Sequence, residues 1–175
     1  LAALTGCSPV EPVDEQVNGV TPLYITMSED NYRVLFKSIF FNVWVGFRFS
    51  QGDSVADGRM RIHGNVARKD LKKSFQYRVF SARLPRRETG AAVLSAQFKD
   101  KTFSRYRFAL YYFEKTSIPT TRHEVVRVFF NGRDHGLYLK LEKVDEHFLR
   151  RRGMPQSSLY KMNGGAQFGF RFGTV

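Results

Sequence analysis

Two adjacent lysines, Lys72 and Lys73, follow a Gly64-Asn65 pair in the segment RMRIHGNVARKDLKKSF. Glycine and asparagine allow backbone conformations that aim successive N–H groups at one point, and an ammonium adds a compact charge. The combination can hold phosphate oxygens. The same residues also make an ordinary hairpin with a solvated basic edge, and the segment alone does not choose between the two. Neighbouring residues of a strand face opposite ways, so one lysine at most looks into a cleft. A second group is acidic. Glu142 and Asp145 end the run GLYLKLEKVD, whose strand could floor a nucleotide pocket while a carboxylate meets a ribose or a lysine. Asp145 equally suits the N-cap of a short helix, with Arg150 to Arg152 favoured at its C-terminal end. The four histidines, His63, His123, His135 and His147, lack metal-ligand spacing. No G-x-S-x-G elbow is present, which leaves a serine hydrolase without support.

These side chains need elements to position them. A short strand is expected from Leu23 to Thr26. Ser28 then suits the N-cap of a helix carrying Tyr32, Leu35 and Phe36 at helical spacing. Alternation around a Gly/Asp-rich turn between residues 40 and 65 predicts a hairpin. In LKKSFQYRVF, Phe75, Tyr77 and Val79 fall on one face of a strand. Residues 81–92, with Pro85 and Gly90, read as a polar loop. A helix should follow, with Phe103, Arg107, Leu110 and Tyr111 on one face and Pro119 ending the segment. Residues 122–145 form a hairpin turning at Asn131-Gly132. This order predicts an α+β fold, a twisted antiparallel sheet with one main packed helix.

The chain has 175 residues, 42% of them apolar, enough for one domain with a core. Its formal net charge of +12 favours anionic partners. The basic residues are spread along the chain without a nucleic-acid-binding motif, so nucleic acid is not an expected partner. A single cysteine, Cys7, excludes an internal disulfide framework. Its setting, LAALTGCSPVEP, resembles the lipobox of bacterial lipoproteins, where the cysteine takes a diacylglycerol group and a polar stretch tethers the body. Residues 1–20 are therefore expected to be a signal remnant and linker, and residues 21–175 the folded part. No segment reaches transmembrane length. The expected location is extracytoplasmic, at the cell envelope, held to the membrane by lipid on Cys7.

Four blocks in order, MRIHGNVARKDLKKSFQYRVF, FKDKTFSRYRFALYYFEKTSIPTTRH, VVRVFFNGRDHGLYLKLEKVDEHFLRRR and SSLYKMNGG, resemble the CotH kinase family, named for a spore-coat protein. They span about residues 59–165. The resemblance implies an atypical, secreted protein kinase that binds ATP with Mg²⁺ or another divalent ion. It would transfer the γ-phosphoryl group to Ser or Thr of surface or coat proteins. It further implies a kinase-like small lobe in which Lys73 first, and Lys72 second, bridges nucleotide phosphates. Gly64 and Asn65 would lie near the phosphates, Glu142 and Asp145 near the nucleotide at the exit from the lobe, and Lys161 within reach of the same cleft. The family's Asp-x-Ser stands here as Asp100-Lys101-Thr102. The family's catalytic and metal-holding carboxylates are expected beyond Val175. No catalytic residue and no metal ligand is therefore assigned within this chain, which alone is expected to be inactive. The rival expectation is a non-catalytic surface lipoprotein whose basic face binds an anionic polymer or protein.

Overall fold

The computed structural model describes residues 19–64, 66–80, 88–155 and 159. Cys7, Asn65 and Lys161 lie outside them. The elements are β1 (Thr21–Thr26), α1 (Glu29–Lys37), β2 (Val45–Gln51), β3 (Ser54–His63), a 3-10 turn (Val66–Arg68), β4 (Ser74–Phe80), β5 (Glu88–Ser95), α2 (Ser104–Lys115), β6 (His123–Phe130), β7 (Arg133–Glu142) and α3 (Glu146–Arg151).

The strands close into a barrel in the order β1-β2-β3-β4-β5-β7-β6. Neighbours are antiparallel except β1 and β6, which run parallel over Thr21–Ile25 and Val126–Phe130. The expected kinase-like small lobe, an antiparallel sheet with one main packed helix, is therefore not what forms. Two things overturn it. β1, expected as a short strand, pairs with a partner a hundred residues away and closes the sheet. Residues 88–95, expected to lie largely in a loop, form β5, which joins β4 to β7. Closure leaves no sheet edge to cover, so the fold does not depend on a packed helix.

Alternation fills the interior. Leu23, Ile25, Met60, Ile62, Phe75, Leu94, Val126, Val128, Phe130 and Tyr138 are buried in one cluster. α1 covers one mouth. Ser28 accepts the Asn31 N–H, as its sequence position predicts, and Glu29 and Asp30 sit favourably in the first turn. The Phe36 ring then lies 5.5 Å from Phe75 and 5.6 Å from Phe130. Towards the other mouth, Lys140 Nζ donates to Gln51 Oε1 at 2.7 Å and also to Glu124.

The helix that looked strongest in the sequence, α2, lies outside. It buries Leu110 against Leu139 and Leu141, with Phe103 beside them. Tyr111, expected on the same buried face, is 53% exposed. The Asn131-Gly132 turn forms as expected, with positive φ at both residues (46° and 77°), the conformation a two-residue hairpin demands. Asn131 also ties the turn to β1. Its N–H donates to Ile25 O at 2.9 Å and its Oδ1 accepts the Met27 N–H at 2.9 Å. The closing seam is thus fastened by the hairpin's own turn.

Candidate functional site

The segment between β3 and β4 is built around Lys73. Its Nζ donates to Arg68 O at 2.7 Å and to Asp70 O at 2.6 Å. Arg68 Nε in turn donates to Gly64 O at 2.6 Å, and Gly64 takes a φ of +97°, which glycine alone adopts freely. Lys73 therefore ties the turn closed from within. Both lysines precede β4, which begins at Ser74, so strand alternation does not govern them. They do diverge. Lys72 reaches β7, donating to Leu137 O and lying 4.3 Å above the Tyr138 ring. Burial lowers the Lys72 pKa, partly offset by Asp134.

Beside this turn opens a cleft of about 470 Å³. It is lined by Ala67 and Asp70 from the turn, Ser74 and Ser95 from β4 and β5, and Gln97, Asp100 and Arg105 from the approach to α2 and its first turn. Ser74 is buried, and its Oγ accepts the Ala96 N–H at 3.0 Å, which fixes the end of β5 against the start of β4. Asp100 organises the start of α2. It accepts from Thr102 Oγ1 at 2.7 Å and from the Arg105 N–H at 2.9 Å. The Thr102 hydroxyl, and then the Arg105 N–H, hold its carboxyl below the usual range. Thr102 in place of serine keeps this hydroxyl. Lys99 and Arg105 give the cleft two cations, Asp70 and Asp100 two carboxylates, and Ser74, Ser95 and Gln97 uncharged polar groups. Such a mixed lining suits a polar ligand that carries an anionic group beside hydrogen-bond donors.

Glu142 and Asp145 lie elsewhere. The register sets Leu139 opposite Ser95 and Glu142 opposite Ala92, three residues or about 10 Å further along the strand. Glu142 lines a second cleft, of about 420 Å³, with Arg122, His123, Glu124, Lys140 and Arg151. Its side chain is only 6% exposed. It accepts the Arg122 N–H at 3.0 Å, pairs with Arg151, and accepts from Arg152 at 3.1 Å. Burial alone would raise its pKa. The Arg122 N–H and the guanidiniums of Arg152 and Arg151 outweigh that and hold the carboxyl low. Asp145 is the N-cap of α3, as the sequence predicts, accepting from the N–H groups of His147 (3.0 Å) and Phe148 (3.3 Å).

Of the residues singled out from the sequence, Gly64 and Lys73 therefore share one turn. The Lys72 side chain reaches away to β7, and Glu142 and Asp145 cluster near α3. Ser74, Ser95, Gln97 and Arg105 were not singled out. Arg105 was legible in part, because it lies in the same family block as Asp100 and Thr102.

The sequence profile of the family described as CotH kinase protein matches residues 60–173 of this chain. The chain belongs to that family. The resemblance read from the four blocks is thereby borne out. The "Inner spore coat protein H" of Bacillus subtilis (strain 168) is 30% identical to the chain over 99 residues. That alignment takes in 55% of this chain and 26% of the relative, so the chain spans about a quarter of that protein's length. Within the CotH match, the turn held by Lys73 and the helix start held by Asp100 both contribute residues to the first cleft.

Proposed function

We propose that this chain is the nucleotide-binding front portion of a CotH-type protein kinase acting outside the cytoplasm. The reaction is transfer of the γ-phosphoryl group of ATP to Ser or Thr of coat or envelope proteins. What supports this reading, beyond family membership, is the meeting of two family blocks in one cleft: the Gly64–Lys73 turn and the Asp100–Arg105 helix start.

Lys99 and Arg105 offer a triphosphate its cations, while Asp70 and Asp100 in the same lining balance their charge. Arg105 and Lys99 would pair with phosphate oxygens, and Ser74, Ser95 and Gln97 would offer uncharged partners. Lys73 would keep the turn that contributes Ala67 and Asp70 in place. ATP, when bound, supplies the phosphoryl group and its leaving group; the protein's share is to bind and orient it. Among the described residues no three His, Cys, Asp or Glu side chains gather as an all-protein metal cage. Asp70 and Asp100 are the carboxylates that an ion carried by the triphosphate would meet in this cleft.

Labelled ATP and a serine-rich acceptor protein, given to the full-length gene product with several divalent ions, provide the test. Transfer is expected. Lys73→Ala should weaken ATP binding at least tenfold and Lys69→Ala less than twofold, since Lys69 is exposed. Equal losses in the two variants would remove Lys73 from the role. The relative's name places that protein in the inner spore coat. For this chain we place the folded part outside the cytoplasmic membrane, with lipid on Cys7. A Cys7→Ala precursor should then leave the membrane fraction, and full retention there would contradict the anchor.

A further inference from the structure

Beside the outer face of β3 and β4 stand two arginines, Arg61 and Arg68, whose charge no carboxylate among the described residues answers. Arg61 donates through Nη1 to Asn42 Oδ1 at 2.5 Å and through Nη2 to Gln76 Oε1 at 2.8 Å. Arg68 donates through Nη2 to the same Asn42 oxygen, through Nε to Gly64 O and through Nη1 to Phe41 O. Every one of these partners is neutral, and among the described residues neither guanidinium forms an ion pair. The Arg61 Nε is buried without a hydrogen-bond partner. Arg61 and Arg78 each lie 5.1 Å from the centre of the Trp44 ring, so further positive charge stacks on one aromatic plane. Arg59 stands directly opposite Arg78 in the ladder and adds like charge to the same region. Burial first, then the charges of Arg68 and Arg78, lowers the Arg61 pKa.

We infer that this face is a phosphate-monoester site, formed by Arg61 and Arg68, that takes a phosphorylated Ser or Thr of a protein segment. Two guanidiniums already converge on one oxygen, that of Asn42. A phosphate dianion offers three oxygens and two charges in the same space, and pairs with such forks far more strongly than a neutral amide does. Asn42 is exposed, in the irregular segment between α1 and β2, so its amide can yield the place. A peptide is favoured over a free anion by what lies alongside. Phe40 and Phe41, adjoining Asn42 in sequence, are 75% and 73% exposed. They offer apolar contact to residues flanking a phosphoserine, for which free phosphate has no use.

This site shares its turn with the nucleotide cleft. Ala67 and Asp70 line the cleft, while Arg68, between them in sequence, reaches to Asn42. A kinase with such a pair of sites would hold one product phosphate while acting on the next hydroxyl. The inference stands without the ATP reading, because phosphopeptide binding is measurable with no nucleotide present.

The test uses the full-length protein and three probes: a serine-rich peptide carrying one phosphoserine, the same peptide unphosphorylated, and inorganic phosphate. Titration calorimetry is expected to show the phosphopeptide binding at least tenfold more tightly than either other probe. Arg61→Gln and Arg68→Gln should each weaken it about tenfold. Phe41→Ser should weaken the peptide and leave phosphate unchanged. Arg48→Gln, on the same barrel but paired with Asp57 at 2.9 Å, should change affinity less than twofold. Should Arg61→Gln not fold, Arg68→Gln carries the test by itself. Absence of phosphopeptide binding, or binding indifferent to both arginine variants, overturns the site. Equal affinity for inorganic phosphate overturns the peptide as its ligand. Loss of ATP binding in Arg105→Gln with phosphopeptide binding retained would separate this site from the nucleotide cleft.

Discussion

Glu142 and Asn42 occupy similar positions in two arginine clusters, and the difference between them is one of charge. At Glu142 a nearly buried carboxylate gathers Arg151, Arg152 and the Arg122 N–H, and positive and negative charge are matched within hydrogen-bond distance. At Asn42 an exposed amide gathers Arg61 and Arg68, and no carboxylate among the described residues answers their charge. The first arrangement is complete. It fixes α3 against β7, and a ligand would have to displace an arginine to use it. The second is a set of donors converging on a weak acceptor. Acidic residues in a basic chain thus mark joints, and the functional signal lies where the acid is missing.

The largest effect that would sharpen this contrast is at the joint. Glu142→Ala leaves two guanidiniums and a backbone N–H without their acceptor and should cost about 3 kcal/mol of stability. Urea denaturation reads it, and a change near zero would make the cluster a surface ornament. The next effect is in pH. The folded protein holds the Glu142 carboxyl below its ordinary value of 4.5. Its stabilisation is therefore complete above that pH and lost as the pH falls through the lower, folded value. The wild type should melt progressively earlier along that acid limb, and Glu142→Gln should show a shallower one. At the other cluster the sign reverses. Arg61→Glu places an acid between Arg68 and Arg78 and should stabilise by at most about 1 kcal/mol, because solvent screens the gain. A loss of stability there would mean that the arginine is held for packing. The smallest effect belongs to Arg48 with Asp57, an open surface pair (66% and 68% exposed). Arg48→Gln should leave the melting temperature unchanged within measurement.

What was legible in the sequence was local. Ser28 and Asp145 cap their helices because a short oxygen-bearing side chain before a helix has few other uses. Asn131-Gly132 turns because both residues tolerate positive φ. Tertiary relations were not legible. β5 contains GAAVLS, with little intrinsic preference for a strand, and is one because β4 and β7 hold it on both sides. The parallel seam of β1 and β6 leaves no mark in either segment. α2 has many aromatic residues but no clean stripe, so the face expected from spacing holds at Leu110 and Phe103 and fails at Tyr111. At the site, family blocks led to Gly64 and Lys73. Ser74 and Ser95 come together only through strand register, which sequence spacing does not encode. Arg61 opened a family block and Arg68 belonged to a diffuse positive charge, and only the fold sets the two around one amide.

The parallel seam has a practical side. The family match begins at residue 60, yet β1, α1 and β2 come before it and β3 straddles it. A fragment trimmed to the match would lose two staves and half of a third, together with the helical lid. It would expose the unpaired rims of β4 and β6, which recruit other chains, so it should precipitate where a fragment starting near residue 19 stays in solution.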